Sequence, residues 1–268
     1  MSTFSGVILG FVQGITEFLP VSSTGHLVLI HSLFGAGEYD LAFDAVLHLA
    51  TILAVVIYFH KDLLTIANAV LRKLSRLPVN KKEIRLAYAL MIGTVPAVIV
   101  GLLLESYMEA FFRQPLLVAG FSVAGSILFM YAEWRYLNEP RHDKITIMKG
   151  LYIGLFQCLA LLPGMSRSGM TLVGGMLMGL TRSEAARFSF LLAIPIIAGS
   201  GLKKLIDLRS ADIAFDWGTL ALATTVAFIA ALLAIHFMLA FVRRYTLWPF
   251  IWYRVILAAL IVLVVYLA

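Results

Sequence analysis

The chain has 268 residues, of which 61% are hydrophobic and 13% charged, and its mean hydropathy is +0.95. That balance lies far outside the range of a soluble globular domain and marks an integral membrane protein. A net charge of +6 does not point to nucleic acid as a partner here, because the Lys and Arg residues are distributed as membrane topology predicts.

Residues 3–34 open the chain with an apolar stretch broken at its middle by "LPVSSTGH". No Lys or Arg precedes it and no small-residue cleavage site follows, so a cleavable signal peptide is not expected. A first span is predicted at 42–60, then a loop at 61–85 holding seven positive charges (Lys61, Arg72, Lys73, Arg76, Lys81, Lys82 and Arg85). Spans follow at 86–104 and 116–133. A second broken stretch, 150–180, carries "LPGMSRSGMT", and three more spans are predicted at 186–202, 218–241 and 248–267. Uninterrupted runs of this length exclude a β-barrel, whose strands are about ten residues long and alternate. Cys158 lies alone in an apolar segment and reads as a small core residue.

If the spans alternate, 15 of the 21 Lys and Arg residues fall on one face, which is then cytoplasmic, with both termini outside. Arg113, Lys203, Lys204 and Arg209 fall opposite, and Arg167 and Arg254 lie within apolar segments. Arg254, a few residues into the last span, reads as a side chain that snorkels to the interface. Alternation holds only if each broken stretch enters and leaves on one face as a re-entrant helix-loop-helix hairpin. Irregular backbone at membrane depth survives where it lines a cavity or is buried in protein.

"GFVQGITEFLPVSSTGH" (10–26) aligns with "GLFQCLALLPGMSRSGM" (154–170) at an offset of 144. Gly10, Gln13 and Gly25 fall on Gly154, Gln157 and Gly169, and "SSTG" on "SRSG". The predicted fold is an all-α membrane domain, 1–268, of six transmembrane helices plus two hairpins. Its repeats, 1–134 and 150–268, have inverted topology, because each contains one hairpin and an odd number of spans. Such repeats bring their polar tips together near the midplane.

The tips carry Glu17, Ser22, Ser23, Thr24, Gly25 and His26 on one side and Ser166, Arg167, Ser168, Gly169 and Thr171 on the other. Ser and Thr commonly bond back to their own helix, and a Pro-Gly pair is often a mere kink. Ionisable residues at membrane depth are much less often inert, which singles out Glu17 and Arg167. Hydroxyl-bearing Gly turns before helix starts offer backbone N–H groups to an anion. Arg167 adds a guanidinium suited to phosphate. Glu17 repels a phosphate unless a cation lies between them, which points to Mg2+ or Ca2+ held by Glu17 and by Gln13 one helical turn earlier. Ser23 and His26 are candidate nucleophile and base for phosphoryl transfer to water, with a lipid phosphate or pyrophosphate as substrate.

"QGITEFLPVSSTGH", "PGMSRSGMT" and "FSFLLAIP" closely resemble the signature segments of the undecaprenyl-pyrophosphate phosphatase family, also called the bacitracin-resistance protein family, and the hydrophobic layout matches over essentially the whole chain. The family's acidic-or-Gln, three residues, Glu pattern falls on Gln13 and Glu17. The Ser and His of its "SSTGH" fall on Ser23 and His26, and the Arg of its "PGxSRSG" on Arg167. The resemblance implies removal of the terminal phosphate of undecaprenyl pyrophosphate, which recycles the carrier lipid of bacterial wall synthesis and lessens sensitivity to bacitracin. It implies a place in the bacterial inner membrane with the site opening to the periplasmic face. Membrane lipids are the expected surroundings, nucleic acid is not a partner, and a homodimer is allowed. Ser23 and His26 are both capable nucleophiles; the reading favours attack by Ser23 with His26 as base. Catalysis competes with a second reading, a lipid-phosphate flippase or secondary transporter, since inverted repeats with paired re-entrant tips serve transport as well. The clustering of Glu17, Ser23 and His26 favours the enzyme. The phosphatidic-acid type of lipid phosphatase needs a Lys/Arg-rich motif that the chain lacks near a suitable span.

Overall fold

The computed structural model describes residues 2–34, 40–111, 114–139, 144–207 and 216–267, which form eleven α-helices and no strand. Within hydrocarbon a helix satisfies its own backbone, so the apolar runs have no other open solution. In chain order the helices are α1 (Thr3–Phe18), α2 (Ser23–Phe34), α3 (Asp40–Tyr58), α4 (His60–Leu74), α5 (Lys81–Phe111), α6 (Pro115–Asn138), α7 (Ile147–Leu159), α8 (Arg167–Leu177), α9 (Arg182–Asp207), α10 (Trp217–Arg244) and α11 (Trp248–Leu267). Arg113, Arg141 and Arg209, which enter the charge asymmetry, lie outside the described residues.

Five helices are long and apolar enough to cross a membrane: α5, α6, α9, α10 and α11. A sixth arises only if α3 and α4, bent by 75° at their junction, count together as one broken span. The sequence reading leaves residues 61–85 as a charged loop, whereas the structure folds 60–74 into a helix. The signal was helical periodicity within a basic segment. Leu63 and Ile66 turn toward the core, and Ala69 is buried, while Leu64, Leu71 and Leu74 stay exposed.

The broken stretches become two pairs of short helices. With 16 residues, α1 is about 24 Å long, and α8, with 11, about 17 Å; neither alone crosses a 30 Å core. Helix α1 lies along α10 and α7 lies along α5, while α6 packs on α11 and α3 packs on α9 and α10. Both short-helix contacts depend on glycines one turn apart. A Cβ on Gly10 or Gly14 would strike the carbonyl oxygens of Ala223 or Ala227, and one on Gly150 or Gly154 those of Ala89 or Gly93. Small residues at this spacing let backbones approach without side chains between them.

The main apolar core forms around α8 and α9, from Met170, Leu172, Met176, Phe190 and Leu192, with Phe18 meeting Phe190 edge-to-face at 5.5 Å. Two ion pairs fasten the first turns of α9. Arg182 grips the buried Glu133 of α6 through Nε and Nη2 while its guanidinium stacks over Tyr136, and Arg187 reaches Asp62 of α4.

Candidate active site

The end of α1 and the start of α8 meet inside the bundle. Each hairpin turns sharply before its second helix, and each turn uses the same device. Ser22 and Ser166 have φ of 73° and 70°, a region that non-glycine residues seldom enter. Their Oγ atoms accept from the amides of Gly25 at 3.3 Å and Gly169 at 3.2 Å, so each serine caps the helix that follows. The strain of about 1–3 kcal/mol per position persists only where surrounding packing over-determines the backbone. Gly25 and Gly169, expected as anion donors, thus spend their amides on these caps.

Glu17 closes α1, is only 7% exposed, and collects the other groups. Arg167, the first residue of α8, donates through Nη2 to Glu17 Oε1 at 2.9 Å, joining positions 150 residues apart. On the other oxygen, Gln13 Nε2 donates at 2.9 Å and Ser23 Oγ at 3.1 Å. The sequence places Glu17 as a charge that repels phosphate; in the structure it already holds Arg167, which makes a second, longer contact to Ser189 O at 3.4 Å. Arg167 Nε is buried without an acceptor among the described residues, leaving that one N–H unused. Ser168 Oγ donates to Leu19 O at 3.1 Å and lies 3.2 Å from Ser166 Oγ, stitching the second hairpin to the first turn. Thr171 bonds back to Arg167 O at 2.8 Å and touches the Ser189 hydroxyl, so it orients α8 against α9. Thr24 sits half-buried at the start of α2.

His26 and Ser23 share α2 but are not hydrogen-bonded to each other. His26 Nδ1 lies 2.8 Å from Ser22 O, and Nε2 lies 2.6 Å from the Tyr253 hydroxyl of α11. Sequence reasoning missed two neighbours of this site. Tyr253 is one. The other is His48 of α3, whose Nδ1 bonds Asp44 O at 2.7 Å and whose Nε2 stands 3.7 Å from Glu17 Oε2. Nothing local marks either contact, because both cross between helices far apart in the chain.

Arg254 requires a correction. It does not snorkel: its side chain is 0% exposed and points inward. Nη1 donates to Met165 O at 3.0 Å and to Pro20 O at 3.5 Å, and Nη2 to Gly164 O and Ser122 O, both at 3.1 Å. Nε reaches Ser126 Oγ at 3.3 Å. One guanidinium therefore satisfies carbonyls in both hairpin turns and on α6. The physical reason is that broken helices leave orphan carbonyls buried in the bundle, and the fixed donors of a guanidinium answer them.

Among the described residues no three His, Cys, Asp or Glu side chains gather into a closed metal cage. The Gln13–Glu17 pair nevertheless fits a hard cation. Gln13 is 0% exposed and its Oε1 has no hydrogen-bond donor among the described residues, an orphaned oxygen beside a carboxylate. Magnesium and calcium accept such oxygens and complete their shells with water or substrate phosphate.

A family model described as bacitracin resistance protein BacA matches residues 6–260. Among curated proteins, the undecaprenyl-diphosphatase of Alteromonas mediterranea is 40% identical over 97% of this chain and 98% of its own length. That of Nitrosococcus oceani is 41% identical over 94% and 95%, and that of Geobacter metallireducens 40% over 99% of both chains. A match that runs along nearly the entire sequence and takes in both hairpins leaves one assignment: the chain belongs to the bacitracin resistance protein BacA family.

Proposed function

We propose that the chain is an undecaprenyl-diphosphatase, removing the terminal phosphate of undecaprenyl diphosphate to leave undecaprenyl phosphate and inorganic phosphate. The family and the printed names of its relatives supply the reaction. The observation that carries it to this site is the 2.9 Å contact of Arg167 with Glu17, on a carboxylate that also receives Ser23. Acceptance of bacitracin resistance as a consequence follows from the family.

In the reaction the terminal phosphate is bound by Arg167, whose Nε lacks an acceptor among the described residues, and the guanidinium stabilises charge on the transferring oxygens. Ser23 Oγ attacks phosphorus, and the bridging oxygen departs with undecaprenyl phosphate. The Ser23 proton passes to His26, one turn along α2 and on the same face. Their separation in the resting arrangement does not weigh against this role, since such bonds often tighten only with substrate bound. His26 gives the Ser23 proton to the departing undecaprenyl phosphate; water then attacks the phosphoserine, its proton passing to His26 and on to the Ser23 oxygen as inorganic phosphate leaves. Glu17 holds both Arg167 and the Ser23 hydroxyl in place. With Gln13 it would hold magnesium or calcium, which supplies charge neutralisation on phosphate oxygens.

The two short-helix pairs are read as re-entrant hairpins within inverted repeats. Support comes from the matched packing of α1 on α10 and α7 on α5, from the paired glycine crossings, and from the equivalent φ of Ser22 and Ser166. The distribution of Lys and Arg supports placing the Arg182 and Arg187 end on the cytoplasmic side of the bacterial inner membrane, with the site opening to the periplasm. Membrane lipids cover the exposed apolar faces of the spans. Phosphate release from undecaprenyl diphosphate by purified protein in detergent, with and without a chelator, tests the reading. Hydrolysis lost on chelation and restored by magnesium or calcium is expected; binding of the lipid without hydrolysis under all metal conditions would favour a flippase instead.

A further inference from the structure

His26 is held at both ring nitrogens, and the carbonyl contact fixes the tautomer of its neutral ring. Nδ1 faces Ser22 O at 2.8 Å. A backbone carbonyl only accepts, so Nδ1 carries hydrogen and Nε2 of the neutral ring bears the lone pair. The group opposite Nε2, at 2.6 Å, is the Tyr253 hydroxyl, which therefore donates. The rings lie nearly parallel, 10° apart with centroids 5.6 Å from each other. Tyr253 comes from α11, the helix whose next residue, Arg254, pins both hairpin turns. Its position relative to α2 is thus set by the same element that sets the site.

We infer that Tyr253 is a positioning residue for His26: its hydroxyl donates to Nε2 and keeps the imidazole neutral, with the lone pair presented on the nitrogen that must accept a proton. This rests on the reading of His26 as base. With the Tyr253 hydroxyl in the donating orientation the bond favours the neutral ring, so it keeps His26 competent to lower pH than an unsupported imidazole. The charged groups around it are otherwise committed. From α1, Glu17 is engaged by Arg167, Gln13 and Ser23. From α11, Arg254 is turned to backbone carbonyls. Helix α6 carries no Asp, Glu, Lys or Arg before Glu133, which is paired with Arg182. Tyr253 is thus the one side chain bonded to Nε2 among the described residues, and it must turn aside when the proton arrives.

The test is the pH dependence of kcat/KM for Tyr253→Phe, which keeps the stacked ring and removes the hydroxyl. The acid limb is expected to move to higher pH by about a half to one unit, the worth of one neutral hydrogen bond. Activity on that limb falls about threefold to tenfold while the alkaline plateau holds. In a His26→Ala background, adding Tyr253→Phe should change nothing further. An unmoved limb in a stable Tyr253→Phe protein overturns the inference. So does a 15N spectrum of histidine-labelled wild-type protein showing the His26 proton on Nε2, a measurement that stands even if the variant fails to fold. Full activity of His26→Ala would instead defeat the assignment of His26 as base, which separates the two failures.

Discussion

The two hairpins share a skeleton and differ in almost all their chemistry. Both turn through a serine at φ near 70°, both cap the following helix with that serine, and both cross a neighbouring span on glycines. At the offset of 144, however, Glu17 corresponds to Leu161, Ser23 to Arg167 and His26 to Met170. The glutamines show the consequence. Gln13 bonds Glu17, whereas Gln157, equally buried, has neither amide atom bonded among the described residues, because the carboxylate one turn on has become leucine. Two similarly built turns supply placement, and on the proposed reading the first carries carboxylate, nucleophile and base while the second carries the phosphate clamp.

Breaking that division at its centre should have the largest effect. Glu17→Gln keeps the shape of α1 but releases Arg167 and the Ser23 hydroxyl from a carboxylate, and turnover should fall by about a thousandfold or more, the scale of losing a preorganised charge. Arg167→Lys retains the charge and loses the fork, so most of kcat should still disappear, with Arg167→Ala lower again. Thermal stability measured on the same preparations checks that both variants remain folded; fully active Arg167→Ala protein would remove the clamp from the account.

Arg254 tests the shared skeleton, since it serves both turns. Arg254→Met leaves several buried carbonyls without donors and should cost on the order of 3 kcal/mol, read as a lowered Tm in detergent. Leucine at Gly10 or Gly154 should each cost about 1–3 kcal/mol by forcing helices apart, and similar losses at the two positions would support equivalent crossings. The smallest effects belong to the caps. Ser22→Ala and Ser166→Ala should each lose about 1 kcal/mol, and the glycine variants less, because glycine relieves the positive φ while giving up the hydroxyl.

The sequence alone discloses an all-helical membrane chain, the five long spans and the two interruptions, and it singles out Glu17 and Arg167, which the structure brings together, because charge inside an apolar run has few innocent explanations. It misleads at Arg254, where a residue near a span end is equally consistent with snorkelling until the orphan carbonyls of two distant turns are seen around it. Helix α4 hides because its basic residues resemble a topological loop. Tyr253 and His48 are illegible for a different reason: each becomes relevant only through a contact between helices, with no local pattern to announce it.

The claim that the tips of both hairpins build one phosphoryl-transfer site is tested most directly by trapping the covalent intermediate. Protein mixed with undecaprenyl diphosphate labelled in its terminal phosphate, quenched rapidly and digested, should carry the label on Ser23. The label should vanish in Ser23→Ala and fall sharply in Arg167→Lys, since attack and clamp lie on opposite hairpins. A label on His26, or label on Ser23 undiminished when Arg167 is changed, would contradict the account.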